Sequence, residues 1–403
     1  MTGDSREVLP LHLELAGRRV VIVGGGPVAA RKVADCSAAG ADVLVVAPYA
    51  CEEIIAAGHS GLVTWLDRDY LAGDLDGAWL VFAATGDRAT DTDVEAHASA
   101  QRTFCVRADN ATVGTARSAA LLRRDDVVIS VGSVVPATDP RRAVAIRNAI
   151  AHSMDTGSLP LRRHRAGPGR VVLVGGGPGD ADLLTLRGRR ELAAADVVVV
   201  DRLAPRGVLD ELAPGVLILD VGKAPGRHPV QQHAINQLLV DHAQAGRRVV
   251  RLKGGDPFLL GRGGEEVAAC RAAGVSVEVV PGVTSAFAVP AAAGIPVTHR
   301  GLANRVTVLS GHDADGIEDW THLAAGGGTL VVLMGVAALV TVASGLCDAG
   351  MDPATPVAVI ENGWTPQQRT TTGVLANIAR RAAAADIQSP AVIVIGEDAA
   401  LAG

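Results

Sequence analysis

The stretch that decides the fold of the N-terminal half is RVVIVGGGPVAARKV, residues 19–33 of a chain of 403. An apolar, β-branched run leads into three glycines and then into a helix-forming segment, which predicts a strand, a tight turn and a helix. Residues 24–29 fit the pattern GxGxxA, which in this context is typical of a dinucleotide-binding turn, because glycine lets the backbone approach a pyrophosphate. We therefore expect a Rossmann-like unit; the alternative is a glycine turn without a nucleotide. The expected nucleotide contacts are Gly24, Gly26, Pro27 and Val28.

Short apolar runs alternate with helical segments along the whole chain. In the first half they extend as far as DVVISVG at residues 126–132, and a second series begins with RVVLVGGGPGD at 170–180. Such alternation predicts parallel sheets flanked by helices. Between the two series, residues 141–170 contain seven arginines and one acid. The predicted division is residues 1–150, an Arg-rich linker at 151–168, and residues 169–403.

Composition limits the classes of protein to which the chain can belong. Hydrophobic residues make up 48% and charged residues 20%, which supplies buried cores and argues against extensive disorder. The net charge of -6 offers no general attraction to nucleic acid or to an anionic membrane. Aromatic residues are 2% of the chain and leave few rings for stacking on bases. We predict a globular protein with no nucleic-acid partner.

The cellular location is predicted from the cysteines and from the apolar segments. The five cysteines include no CxxC pair, so neither a disulfide framework nor a thiolate zinc site is indicated. The N-terminal residues MTGDSREVLP do not resemble a secretory signal. The uncharged stretch at 324–347 is interpreted as a buried strand, TLVVLM, followed by Gly335 and a helix, rather than as a membrane span. We expect a cytoplasmic protein that does not enter a membrane.

The first half resembles the precorrin-2 dehydrogenase module of the sirohaem synthase family over about residues 8–150. The resemblance is carried by LPLHLELAGRRVVIVGGGPVAARKV, VFAATGD and FCVRADN. It implies oxidation of precorrin-2 with NAD and insertion of ferrous iron as a substrate, with Asp109 as the acid/base in both reactions. The alternative for Asp109 is a solvated turn acid beside Asn110.

The first half departs both from the general Rossmann pattern and from that family. The ribose-binding acid of the Rossmann pattern is replaced at the end of the second strand by residues 46–49, VAPY. Pro48 and Tyr49 are therefore expected at the cofactor, and the choice between NAD and NADP stays open. Residues 129–140, ISVGSVVPATDP, replace a Ser-rich loop that reads roughly SSGGTSP. We expect a shortened helical dimerisation segment, a homodimer built differently, and iron insertion left open.

The second half resembles uroporphyrinogen-III C-methyltransferase over about 235 residues. The shared blocks, in the family's order, are GGGPGDADLLTLRG (175–188), VVVDRL (198–203), VGK (221–223), RLKGGDPFLLGRGGEE (251–266), VPGVTSAFAVPAAAGIPVTHRG (280–301), LMG (333–335) and ENG (361–363). The resemblance implies a two-lobed tetrapyrrole methylase α/β module that uses S-adenosylmethionine. The residues it places at that cofactor are Pro178, Gly254, Gly255, Asp256, Leu259, Thr284, Ser285, Met334 and Gly363.

The family's chemistry implies roles for two charged residues. A pyrrole carbon attacks the sulfonium methyl group and then loses a proton, so the enzyme needs positioning and a proton acceptor. By resemblance Asp201 is that acceptor and Lys223 is a proton donor; Asp201 as a cap or orienting group is the alternative. The chain contains three lysines, Lys32, Lys223 and Lys253, among many arginines. This usage indicates that a compact ammonium group is required at these positions, and it supports functional roles for Lys223 and Lys253.

The tetrapyrrole substrate carries several carboxylates, so arginines are expected in the cleft. The candidates are Arg202, Arg251, Arg262 and Arg300. Two rival interpretations stay open at this point. The second half could methylate a later corrinoid precursor of the cobalamin pathway, and the first half could be a non-catalytic nucleotide sensor or scaffold.

Overall fold

The computed structural model describes residues 8–110, 112–124, 126–134, 139–159, 161–162, 167–222, 230–316 and 320–402. The chain divides into two compact units, Met1–Ala151 and His152–Gly403. Each unit has its own sheets and its own apolar clusters.

A parallel sheet of five strands, in the order β3-β2-β1-β4-β5, forms the centre of the N-terminal unit. The strands are β1 (Arg19–Val23), β2 (Asp42–Val46), β3 (Thr64–Leu66), β4 (Leu80–Ala83) and β5 (Phe104–Arg107), joined by helices α1 (Pro27–Ala38), α2 (Glu52–His59) and α3 (Arg88–Ala100). Alternate residues of β1 belong to different clusters, one containing residues of α1 and the other residues of α3, so both faces of the sheet are buried. The strand order reverses between β1 and β4, which is where such sheets bind nucleotides.

The apolar run at 126–132 forms a strand, as predicted, but its predicted place in the parallel sheet was wrong. Strands β6 (Ala120–Arg124) and β7 (Val127–Val131) instead form a separate antiparallel hairpin. The connection between them is far too short for the crossover that parallel strands need. Helix α4 (Pro140–Asp155) follows the hairpin and extends into the segment predicted as a linker.

The second unit begins with a parallel sheet in the order β10-β9-β11-β8-β12. Its strands are β8 (Arg170–Gly175), β9 (Val197–Val200), β10 (Leu217–Asp220), β11 (Arg248–Lys253) and β12 (Ser276–Val280), and its helices are α5 (Leu186–Ala193), α6 (Gln232–Gln244), α7 (Gly263–Ala272) and α8 (Ser285–Ala292). Because all five strands are parallel, the loops that follow them meet at one edge of the sheet.

A second sheet, in the order β13-β14-β17-β15-β16, completes this unit. Its elements are β13 (Val306–Ser310), α9 (Trp320–Ala325), β14 (Thr329–Leu333), α10 (Leu339–Asp348), β15 (Pro356–Glu361), β16 (Arg369–Val374), α11 (Ile378–Ala384) and β17 (Ala391–Ile395). Strand β17 is antiparallel to both β14 and β15, so β14 and β15 run in the same direction and end at the same edge. Within the described ranges, no helix has the length and apolar character needed to cross a bilayer.

Candidate functional site

The glycine turn after β1 is closely packed between the ends of three strands. Gly24 has a φ of 125°, and a Cβ there would lie 2.2 Å from the carbonyl oxygen of Ala84, just past β4. A Cβ at Gly25 would overlap the carbonyl of Tyr49, just past β2. Gly26 caps α1 with open space beside it, and Pro27 is the first helical residue. The N-terminal end of α1 therefore borders open space, and the amides of a helix N-terminus fit a pyrophosphate.

The other residues predicted at this cofactor lie at the same sheet edge. Tyr49 is 85% exposed and Val28 is 37% exposed, and Pro48 is also exposed. Strands β1 and β2 are paired neighbours, so the residues after β2 adjoin the glycine turn. Residues 46–49 present no carboxylate to a ribose hydroxyl.

Asp109, the predicted acid/base of the first unit, lies just beyond β5 in a bidentate ion pair. Both of its carboxylate oxygens accept hydrogen bonds from Arg107, from Nε and Nη2, each at 2.8 Å. The Asp109 side chain is 29% exposed, whereas that of Arg107 is 3% exposed. The hydrogen bonds from Arg107 lower the pKa of Asp109 below its usual value. Asp109 is therefore an ionised acceptor at neutral pH.

Two further acids, neither of them predicted from the sequence, act on Arg107: Glu95 by an ion pair, and the buried Asp91 through its charge. Arg107 Nη1 donates to Glu95 Oε2 at 3.0 Å, and Glu95 Oε1 accepts from the backbone amide of Gly114 at 3.0 Å. Asp91 is fully buried and accepts from the amide and the hydroxyl of Thr85. An arginine at the last position of the apolar strand FCVR was the available signal, because a buried arginine requires carboxylate partners.

In the second unit, glycine loops from three strands pack against one another. Gly177 and Gly255 form an isolated antiparallel bridge, with the Gly255 amide donating to the Gly177 carbonyl at 2.7 Å. A Cβ at Gly282 would lie 2.3 Å from the Gly255 carbonyl oxygen and 2.6 Å from the Gly175 carbonyl carbon. Only glycine permits three backbones to approach this closely, and the result is an open backbone surface suited to a cofactor.

Asp256 holds two of these loops together. Its Oδ1 accepts from the amide of Phe258 at 2.8 Å, and its Oδ2 accepts from the amide of Gly282 at 3.1 Å. Its carboxylate therefore organises the backbone that was predicted to contact the cofactor. Pro178 lies in the first of the three loops, after Gly177.

Thr284, Ser285 and Leu259 connect these loops to α8. Thr284 caps that helix and accepts from the Ala286 amide at 3.3 Å. The Ser285 hydroxyl would lie 3.3 Å from a Cβ at Gly255, so it borders the same backbone surface. Leu259 packs against the apolar cluster that contains α8 residues and strands of the second sheet.

The second sheet contributes Met334 after β14 and Gly363 after β15. A Cβ at Gly179 would lie 3.4 Å from the Gly363 carbonyl oxygen, so this edge reaches the first glycine loop. Met334 is 50% exposed and has a φ of 55°. Leu260, Arg262, Asn362 and Trp364 also have a left-handed φ. Such strained backbone is concentrated at functional sites in proteins.

Asp201, the predicted proton acceptor, follows β9 of the parallel sheet, at the edge where the glycine loops lie. Its carboxylate belongs to a cluster of charged side chains. Its Oδ1 accepts from Arg251 Nη2 at 2.5 Å, and its Oδ2 lies 3.6 Å from Lys253 Nζ. The side chain is 30% exposed. Burial disfavours the charged form of Arg251, but the carboxylates of Asp201 and Glu266 hold its pKa above the usual value.

The remaining predicted residues differ in their accessibility. Arg251 is 1% exposed and its guanidinium is used by Asp201 and Glu266, so its prediction as a substrate-binding arginine was wrong. Arg202 and Arg300 are exposed, and Arg262 pairs with Glu265 at 2.8 Å on the surface. Lys223 lies outside the described residues.

The fold and these sites define a fused protein with a dinucleotide-binding unit and a two-lobed methylase unit. Residues 170–379 match the family model for tetrapyrrole (corrin/porphyrin) methylases, and residues 11–120 match that for putative NAD(P)-binding proteins. The chain belongs to the sirohaem synthase family, because it is 37% identical to siroheme synthase 1 of Cronobacter sakazakii over 97% of this chain and 94% of that protein. The family and the fold class predicted from the motifs are thereby confirmed.

Two further relatives support this assignment. Siroheme synthase of Tolumonas auensis is 36% identical over 98% of this chain and 95% of its own length. The crystal structure of uroporphyrin-III C-methyl transferase from Thermus thermophilus, complexed with S-adenyl homocysteine, is 44% identical over 58% of this chain and 100% of its own, with a TM-score of 0.51. The alignment with the Cronobacter protein extends over 444 positions against 403 residues here, so that protein carries residues that this chain lacks.

Proposed function

We propose that this chain is a bifunctional enzyme of sirohaem synthesis. Its C-terminal unit methylates uroporphyrinogen III to precorrin-2 with S-adenosylmethionine, and its N-terminal unit oxidises precorrin-2 to sirohydrochlorin with NAD. The observation that carries the proposal is the meeting of three glycine loops beside Asp201 at one edge of a parallel sheet. The names of the relatives and the ligand of the Thermus enzyme support it.

In the methylase unit the chain's own residues bind, orient and accept a proton. S-adenosylmethionine supplies an electrophilic methyl group when it is bound. The attacking carbon belongs to the tetrapyrrole, so the protein needs no nucleophile of its own. Asp201, ion-paired and 30% exposed, takes the proton that leaves the methylated carbon. Lys223 is proposed as a proton donor on the family resemblance alone.

In the dehydrogenase unit the turn at 24–28 holds the dinucleotide, and Asp109 accepts a proton. NAD takes up the hydride when it is bound. Asp109 accepts the proton that leaves with that hydride, since its ion pair with Arg107 keeps it ionised. Insertion of ferrous iron into sirohydrochlorin is a further activity for the same aspartate, as the family resemblance implies.

The test is mass spectrometry of the products formed from uroporphyrinogen III and S-adenosylmethionine, with and without NAD. We expect the mass of precorrin-2 without NAD, and a mass lower by a hydride and a proton when NAD is added. Added ferrous iron should then give the mass of sirohaem. Accumulation of precorrin-2 despite abundant NAD or NADP would leave the first unit as a nucleotide sensor or scaffold. Failure to methylate uroporphyrinogen III, with turnover of a later corrinoid, would assign the methylase to that substrate.

A homodimer in a reducing cytoplasm is the setting we propose. All five cysteines are free thiols, as a reducing compartment favours. Val127 and Val128 on β7, and Val144 and Ile146 on α4, are each more than 40% exposed, and a second copy of the chain would cover them. Light scattering of the purified protein tests the dimer, and a monomeric mass at micromolar concentration would contradict it.

A further inference from the structure

Glu266, on α7, is a fully buried carboxylate. Its Oε1 accepts from Arg251 Nε at 2.8 Å, from Lys253 Nζ at 3.3 Å and from Gln232 Nε2 at 3.3 Å. Its Oε2 lies 3.2 Å from Lys253 Nζ and has no hydrogen-bond partner among the residues that the structure describes. Burying a carboxylate raises the free energy of the folded state unless the carboxylate is paired with cations.

Those partners connect Glu266 to Asp201. Arg251 and Lys253 are alternate residues of β11, so both side chains lie on one face of the sheet. Their side chains are 2% and 4% exposed, and both contact Asp201 as well as Glu266. The four groups form a cluster of two cations and two anions. Of the four side chains, only that of Asp201 is substantially exposed, at 30%.

The cluster has a different charge once Asp201 accepts a proton. The two buried cations then retain one carboxylate, Glu266, and the cluster carries one net positive charge. Without Glu266 the same step would leave two buried cations unpaired, which raises its free energy further. Excess positive charge also stabilises the Asp201 anion and weakens it as a base.

We propose that Glu266 is a positioning residue for methyl transfer. It fixes Arg251 and Lys253 so that they orient Asp201, and it balances their charge while Asp201 accepts a proton. The inference rests on the proposed function of Asp201 as proton acceptor. Glu266 itself does not touch the substrate.

All groups that face Glu266 enter the expected pH dependence. Arg251 and Lys253 contact it from β11, and Asp201 lies beyond them. At the start of its own helix, Arg262 pairs with Glu265. Further along that helix, burial together with the Glu266 charge raises the pKa of Cys270 to about 11. The neutral Gln232 approaches it from α6. Replacing Glu266 therefore removes the negative charge that compensates the two cations, Arg251 and Lys253.

The experiment compares two single variants with the double variant in the full chain. Glu266→Gln keeps the shape and removes the anion, so the acidic limb of the kcat profile for methylation should move to lower pH, with kcat reduced about tenfold or more at neutral pH. Lys253→Met removes a cation, so the limb should move to higher pH. The double variant should return the limb to its wild-type position. Affinity for S-adenosylhomocysteine, measured by calorimetry, should stay within about twofold.

Control variants separate this role from a structural one. Glu191→Gln removes a half-buried glutamate that pairs with Arg170 at 2.6 Å, at the opposite end of the same sheet, and should leave kcat and the profile unchanged. If Glu266→Gln does not fold, the shift in Lys253→Met and its reversal in the double variant decide the question. An unmoved limb in both folded variants, or loss of cofactor affinity in parallel with kcat, overturns the inference. Wild-type kcat in Asp201→Asn would instead overturn the proposed role of Asp201.

Discussion

The replacement Asp109→Asn tests the chemistry of the N-terminal unit with little change in shape. It removes the charge that accepts two hydrogen bonds of 2.8 Å from Arg107. Arg107 keeps its ion pair with Glu95 at 3.0 Å, so its buried charge is still compensated. The variant should therefore fold, and its defect should be specific to the oxidation of precorrin-2.

The expected magnitudes follow from exposure and from the role of the carboxylate. A surface ion pair contributes about 0–1 kcal/mol and loss of one partner of a buried pair costs about 3–5 kcal/mol. With Asp109 29% and Arg107 3% exposed, the free energy of unfolding should fall by about 1–3 kcal/mol at neutral pH. Loss of an acid/base group lowers the rate about 10²- to 10⁴-fold, which corresponds to about 3–5 kcal/mol of activation free energy.

The dependence of stability on pH gives a second measurement on the same variant. The pKa of Asp109 is lowered by Arg107, so the pair stabilises the native protein above the unfolded-state pKa, and this contribution is lost as the pH falls through the folded-state pKa. The stability difference between wild type and Asp109→Asn should therefore shrink as the solution is acidified.

The assay is NAD-dependent formation of sirohydrochlorin from precorrin-2, with calorimetry of NAD binding and urea unfolding at several pH values. NAD affinity and methylation should be unchanged. Asp35→Asn supplies the control, because Asp35 forms a surface pair with Arg123 at 3.3 Å. Oxidation by Asp109→Asn at the wild-type rate would refute the reasoning and leave Asp109 as a structural partner of Arg107.

Three further replacements test the cofactor sites and the proposed proton donor. Gly255→Val should weaken S-adenosylhomocysteine binding about tenfold or more in calorimetry, because Gly255 has a φ of 62° and side chains are strained there. Gly207→Ala is the control, since Gly207 borders open space. Unchanged affinity in the folded Gly255→Val variant would remove this loop from the site. Lys223→Arg should sharply reduce methylation, because guanidinium does not release a proton near neutral pH; wild-type turnover would count against a donor role. Pro48→Asp should lower affinity for NADP about tenfold or more relative to NAD, by repulsion of the 2′-phosphate; equal losses in titrations with both nucleotides would place Pro48 away from the ribose.

The strands buried on both faces were predictable, because burial leaves continuous β-branched runs in the sequence. The run at 126–132 shows the limit of that signal. An apolar strand has the same composition in a parallel sheet and in a hairpin, and its partner β6 reads ALLRR, with exposed arginines. The short connection to β6 was the physical clue, and it becomes informative only once both strands are recognised.

The glycine positions of the cofactor sites were predictable for a related reason. Gly24, Gly255 and Gly282 stand where backbone meets backbone or where φ is positive, and both demands exclude a side chain. The ion pairs were not predictable, because they depend on strand order. Arg251 meets Asp201 only because β11 lies next to β9 in the sheet. The sequence alone allowed Arg251 to bind a substrate carboxylate. Its burial in the structure excludes that role.

The two proposed proton acceptors share one arrangement, although they lie in different units. Asp109 and Asp201 are 29% and 30% exposed, and each pairs with an arginine that is at most 3% exposed. Each arginine also pairs with a glutamate from a helix, Glu95 or Glu266. An acceptor must be ionised and fixed before the reaction, and a planar guanidinium supplies both conditions. When the aspartate is then neutralised, the glutamate keeps the buried arginine paired, so proton transfer does not create an uncompensated charge. An arginine that holds the aspartate rigidly also stabilises its anion, which makes the aspartate a weaker base. At both sites the second carboxylate offsets part of the arginine's charge, so the aspartate can be held in place and still accept a proton.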